Sequence, residues 1–207
     1  TLGDLYTNSD LVYNDDGYIE VDKNGNVAVK DDYMDDIYLG SVFPKYNLAW
    51  RNDFNYKGIN LGVLFTARIG GICYSATQAN MDLYGVSEAS AAARDAGGVM
   101  INGRDMIDAQ KWYQVIGSQS GLPQYYTYSA TNVRLQELSL GYTLPSKWFR
   151  DKMRMTVSFV GRNLWMIYCK APFDPEAVAS TGMNYQGIDY FMMPSMRNLG
   201  FNVKFQF

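Results

Sequence analysis

The 207-residue chain is 47% hydrophobic, 15% aromatic and only 19% charged, with a net charge of −3 and no histidine. That composition offers no basic field for nucleic acid, and it removes His-based metal sites and imidazole general bases. No stretch approaches the roughly 18 apolar residues of a membrane-spanning helix, and residues 1–20 lack a basic start with an apolar core, so any membrane reading must rest on strands.

Residues 1–44 carry Asp16-Gly17 and Asn24-Gly25 between short apolar runs, which predicts a small hairpin in a polar, acidic loop. The acidic run Asp31-Asp32 with Asp35-Asp36 lacks the spaced ligands and glycine of a calcium loop and reads as a solvated face, so no metal and no cofactor is expected. Period-two alternation then predicts a strand over about 45–56, with Leu48, Trp50, Phe54 and Tyr56 on one face and Arg51 and Asp53 on the other. Lys57-Gly58 reads as a tight turn into a second strand over 59–69, where Ile59, Leu61, Val63, Phe65, Ala67 and Ile69 oppose Asn60, Thr66 and Arg68.

Residues 70–127 break the pattern and form a long insertion, with a short helix expected from Ser87 to Arg94 before Gly97-Gly98. A third strand is expected over about 128–144, stopped by Pro145, and a fourth over about 153–165, with a bulge or the membrane's edge near Gly161, Asn163 and Leu164. A fifth, over 195–207, ends on Phe207 and alternates Leu199, Phe201, Val203 and Phe205 with Asn202, Lys204 and Gln206.

Such strands suit an antiparallel transmembrane β-barrel wall, apolar face to lipid and polar face to a wet interior. They also suit a soluble extracellular carbohydrate-binding β-sandwich, where the apolar faces pack inward, because periodicity does not say which side is wet. Connection lengths favour the barrel: 1–44, 70–127 and 166–192 are long while 57–58 and 145–152 are short, the asymmetry of extracellular loops against periplasmic turns. Five strands fall short of the roughly eight that close the smallest membrane barrel, so a wall of this kind needs further strands.

The stretch Val133-Arg134-Leu135 through Leu140-Gly141-Tyr142-Thr143-Leu144-Pro145 resembles a strand motif of the SusC-like TonB-dependent transporters of Bacteroidetes, the SusC/RagA family. Gly161-Arg162-Asn163-Leu164 and Phe173-Asp174-Pro175-Glu176 follow at the family's spacing, and Asp16-Gly17 before Asp22-Lys23-Asn24-Gly25, Tyr38-Leu39-Gly40 before Pro44, and Phe65 to Gly71 match in order. Departures fall at Ser41, where the family more often has asparagine, and at Ala49, where it often has glycine. The resemblance implies the C-terminal strands of a closed barrel of twenty-two, without the plug domain and TonB box, which belong to an N-terminal part. It further implies a bacterial outer membrane location and a SusD-like surface lipoprotein as lid. TonB-ExbB-ExbD would drive uptake through that N-terminal part, and the cargo would be glycan or peptide.

On this reading the work is binding and gating, not catalysis, and no nucleophile-and-base pair, metal cluster or phosphate loop is present to suggest an enzyme. Arg51, Asp53, Arg68, Glu137, Arg154 and Lys204 are the lumen-lining candidates, against the plainer alternative that such charges pair with one another or with water. Trp112, Tyr113, Tyr125, Tyr126 and Tyr128 could stack on cargo or meet the lid, or could simply form the core of the loop. Phe207 resembles the terminal aromatic insertion signal of barrel families.

Overall fold

A computed structural model describes residues 3–31, 36–118, 121–150, 152–177, 179 and 186–206. Phe207, Asp32 and Asp35 lie outside the described residues, so the insertion signal and half of the acidic run are not placed. The chain divides into two compact units, one from residues 1–43, 72–128 and 178–192, the other from 44–71, 129–177 and 193–207.

The second unit is one antiparallel sheet of five strands. They are Tyr46–Tyr56 (β1), Ile59–Ile69 (β2), Asn132–Thr143 (β3), Arg154–Cys169 (β4) and Asn198–Gln206 (β5). The spatial order β5-β4-β3-β2-β1 makes every neighbour the next strand in sequence, an up-and-down meander. The strand bounds differ most from the sequence reading in three places: β3 starts at Asn132, not 128, β4 runs to Cys169, past 165, and β5 starts at Asn198, not 195. β4 is longer because Asn132 and Val133 pair with Cys169 and Tyr168, giving its last residues a ladder partner that periodicity does not show.

The β1–β2 connection is a two-residue turn with Lys57 at φ 47° and Gly58 at φ 87°, the left-handed pair of a type I′ hairpin, whose twist matches its strands. Thr143 N–H donates to the Gly58 carbonyl at 2.7 Å, so the turn is also stitched to β3. A Cβ on residue 58 would sit 2.8 Å from the Thr143 carbonyl oxygen. Gly58→Val is therefore expected to cost about 2 kcal/mol, from left-handed strain plus this contact. A shift in the urea midpoint of the folded barrel reads it, and an unchanged midpoint would rule out this geometry.

Register slips where the bulge was expected. Leu138 pairs with Gly161 and Leu135 with Trp165, so β4 fits one more residue than β3 across Asn163-Leu164, and Asn163 takes φ 52°. Against β2, β3 in turn holds one extra residue at Gln136, whose side chain donates to Asn163 Oδ1 at 2.7 Å. Without these bulges the slip would move the apolar set beyond them to the other face.

The first unit is α/β rather than a bare loop. Helices Ala76–Leu83 (α1), Glu88–Asp95 (α2) and Ala109–Gly117 (α3) are capped by Ser75, Ser87 and Asp108. Only α2 was read from the sequence, yet Asp108 followed by Ala109, Trp112 and Ile116 is a cap before an i, i+3, i+7 stripe. The core holds Leu11, Val27, Ile101, Ile107, Trp112, Ile116, Leu122 and Tyr126. Residues 11–29 repeat every eight positions, with Leu11, Ile19 and Val27, then Asn14 and Asp22, then Gly17 and Gly25 in matching places. The repeat closes on itself: Val12 N–H donates to Ala28, Ala28 to Glu20 and Glu20 to Val12, at 3.1, 3.0 and 2.9 Å.

Candidate functional site

Directly paired residues in an antiparallel ladder share a face, so register assigns both sides of the sheet. One side carries the rows Tyr56-Ile59-Tyr142-Val157-Val203 and Phe54-Leu61-Leu140-Phe159-Phe201, continuing through Trp50-Phe65-Leu135-Trp165 to Leu48-Ala67-Val133-Tyr168. Apart from the tyrosine hydroxyls, Asn52 is the one polar side chain in these rows and their neighbour Asn52-Val63-Leu138-Gly161-Leu199. Cross-strand aromatic pairs add order, with Trp50 stacked on Phe65 and Phe159 edge-on to Phe201, both at 5.6 Å. This face is bare: Phe201 is 80% exposed, Leu199 65%, Trp50 60% and Leu48 55%. A β-sandwich core would bury such side chains, and a contiguous exposed apolar field of this width marks a surface that meets lipid or other protein.

All six lumen candidates fall on the opposite side. Arg51 and Glu137 share a row with Leu64, Arg162 and Asn198; Asp53 lies in the next row with Gly62 and Ser139. Arg68 sits with Asn47, Asn132 and Cys169 at the end where the long segments join, while Lys204 and Arg154 lie in the last two rows at the other end. Four charges in the middle form a chain: Asp53 to Arg51 at 2.9 Å, Arg51 to Glu137 at 3.8 Å, and Glu137 to Arg162 at 2.9 Å. Arg162 was not among the sequence candidates, although its alternation with Gly161 was visible. Gly62 makes the convergence possible, because a Cβ there would meet Ser139 Oγ at 2.5 Å and Asp53 Oδ1 at 2.8 Å. Their charges are largely compensated, and with the side chains of Arg51, Asp53 and Arg162 more than half exposed, water and salt screen these pairs and leave them weak. Between this chain and the hairpin end, the face is uncharged and small, with Asn55, Asn60, Gly141, Ser158 and Asn202 in one row.

A second cluster joins residues that the sequence offered only as two separate family-like motifs. Arg134 on β3 is almost wholly buried, and its Nη2 donates to Asp174 Oδ1 at 2.9 Å, with Glu176 Oε1 at 3.5 Å. Its Nε donates to Asn132 Oδ1 at 3.3 Å. Asp174 also accepts from the Glu176 N–H at 3.0 Å and from the Ser195 hydroxyl and N–H. Burial pushes the Asp174 carboxyl up, but hydrogen bonds from Ser195, Glu176 and Arg134 outweigh it and hold the group below the ordinary aspartate value. Two family-like motifs distant in sequence, Arg134-Leu135 and Phe173-Asp174-Pro175-Glu176, thus meet as one buried clasp, which leaves Asp174 ionised and engaged rather than available as an acid.

In the first unit the five aromatic candidates separate. Trp112 and Tyr126 are buried in the core, the loop-packing alternative that the sequence left open for these rings. Tyr126 donates to Asp82 at 2.9 Å, and burial together with the Asp82 carboxylate drives its phenol well above the usual range, so it stays a neutral donor. Tyr128 donates to Gln78 at 2.6 Å and Tyr113 packs against the core. Tyr125, edge-on to Trp112 at 5.9 Å and 40% exposed, keeps an open ring. No disulfide joins Cys73 and Cys169, and the Cys73 thiol donates to the Tyr128 carbonyl at 3.6 Å.

No family model matches the sequence. Among curated proteins the chain is similar to TonB-dependent receptor P3 of Formosa agariphila, 25% identical over 198 residues that cover 91% of this chain and 19% of that protein. Among solved structures it is similar to the RagAB peptide importer in its closed-closed state, with TM-score 0.58 and 17% identity over 97% of this chain and 22% of that one. The open-open state of RagAB gives 0.57 and 16% over 98% and 21%. The chain spans about a fifth of the length of these relatives. Their β-barrel likeness accords with a meander whose bare apolar side backs onto a charged one, and with the Arg134 and Asp174 motifs brought together in space. In sequence the chain resembles SusC/RagA-like TonB-dependent transporters, and its fold is that of a partial β-barrel.

Proposed function

We propose that this stretch forms a patch of barrel wall in an outer-membrane transporter that imports peptides or glycans. The bare apolar face of the sheet carries the proposal: in a bilayer it meets acyl chains, while the Asp53-Arg51-Glu137-Arg162 side faces a water-filled interior. Arg68, Arg154 and Lys204 complete the lumen lining, and Tyr125 is the loop ring open to cargo or lid. All three long segments join the sheet at the end bearing Ile69, Asn132 and Cys169, which is then the extracellular end, and the turns at 57–58 and 144–153 are periplasmic. A surface lipoprotein of the SusD kind would close the outside, as the name RagAB suggests for a two-component importer, and TonB-ExbB-ExbD would act through a part of the protein beyond this stretch. The importer relationship favours peptide over glycan as cargo.

The test is energised uptake by cells carrying the full-length protein, with its gene deleted in the control strain. Fluorescent oligopeptides should enter only with the gene present and an intact proton gradient; entry of oligosaccharides alone would move the cargo to glycan. Recovery of the protein in the supernatant of a high-speed spin, with uptake unchanged by deletion, would end the transport reading.

A further inference from the structure

The eight-residue repeat leaves one backbone edge turned outward. Hydrogen bonds from Asp22 N–H to Asn26 and from Ala28 N–H to Glu20 flank the Val21–Val27 bridge, and those from Asn14 and Glu20 flank Tyr13–Ile19. In an extended segment successive residues present N–H and C=O to opposite edges, so Ile19 and Val21 both point away from the ribbon. At Ile19 that edge is filled by a side chain: Asn102 accepts from its N–H at 2.9 Å and donates to its C=O at 3.0 Å. A carboxamide is chemically a peptide group, so Asn102 occupies the place of one residue of an added strand.

Two residues on, Val21 faces a groove of about 840 Å³ between the ribbon and the hairpin Val99–Ile107. Tyr18, Asp22, Lys23, Arg104 and Met106 line it, with the Arg104 guanidinium 4.9 Å over the Tyr18 ring. Met106 is 53% exposed. Glu20, Asp22 and Asp105 alternate with Lys23 and Arg104 around it, a mixture that selects no charge.

We propose that this groove takes an extended peptide segment, which pairs its backbone with Val21 as the Asn102 amide pairs with Ile19. Edge addition is satisfied by any sequence in extended form, and the mixed lining suits a binder of varied peptides. That the segment is cargo rests on the import reading; that the groove pairs with a peptide backbone does not.

The experiment uses the purified full-length transporter in detergent and the probe acetyl-(Ala-Thr)3-amide, measured by calorimetry beside its fully N-methylated analogue and maltohexaose. The parent peptide should bind at least tenfold more tightly than the N-methylated one, and Val21→Pro, which deletes the outward N–H, should lower parent binding by a similar factor. Tyr18→Ala should weaken it a few-fold. If Val21→Pro impairs folding, the parent against N-methylated comparison on the unaltered protein still decides. Equal binding of the two peptides, or maltohexaose binding that Tyr18→Ala alone abolishes, would overturn the proposal. Peptide uptake that is energised yet unaffected by Val21→Pro would overturn the groove as a cargo site while leaving the import reading standing.

Discussion

Arg134→Ala should lower the stability of the folded barrel by about 3–5 kcal/mol, because it strips a buried carboxylate of its counter-charge without returning that carboxylate to water. Asp174 keeps the Ser195 and Glu176 donors, so the loss falls mainly on the ion pair, and Asp174→Asn, which retains an acceptor, should cost less. The double change Arg134→Met with Asp174→Leu should recover much of the loss, since an apolar pair of similar volume has no charge to strand. Urea unfolding of the full-length protein in lipid vesicles measures all three, and a single variant that unfolds at the parent's midpoint would show the clasp to be idle. The same group gives a pH signature. Its folded pKa lies below the ordinary value, so its contribution is complete above about pH 4 to 5 and is lost as pH falls through the lowered folded pKa. Arg134→Ala should flatten that acid limb.

Phe159→Arg should cost about 2–4 kcal/mol if its face lies in hydrocarbon, because an arginine near the bilayer midplane loses its hydration with no partner on that side. Phe159 pairs with Leu140 and Phe201, two rows from the hairpin end, and its ring contacts Phe201. The matched change Asn202→Arg, exposed and on the opposite side of β5, should cost under about 0.5 kcal/mol. The ratio of folded to unfolded barrel in outer-membrane preparations reports both. Equal tolerance of the two substitutions would place the apolar face somewhere other than lipid.

The alternation of Leu48, Trp50 and Phe54 with Arg51 and Asp53 was legible because side chains of an extended chain point to opposite sides, whatever they pair with. The type I′ turn at Lys57-Gly58 was legible for a similar reason, since only a few residue pairs adopt two left-handed conformations in succession. For Trp112 and Tyr126 the sequence left stacking and loop-core packing both open, because the physics that makes an aromatic ring useful for stacking also makes it the largest gain on burial; the structure buries both. The α3 stripe went unread because it is short, and a run of that length is ambiguous until something apolar covers it.

What the sequence alone determined was therefore local: which side chains share a face, where the tight turn falls, and that any membrane crossing must be by strands. The bulges at Gln136 and Asn163, the meeting of Arg134 with Asp174, the Asn102 amide on Ile19 and the burial of Trp112 were settled by tertiary structure. Each depends on groups tens of residues apart. The free energy of such a contact arises only once the intervening chain has folded and excluded water, so no local window of sequence contains it.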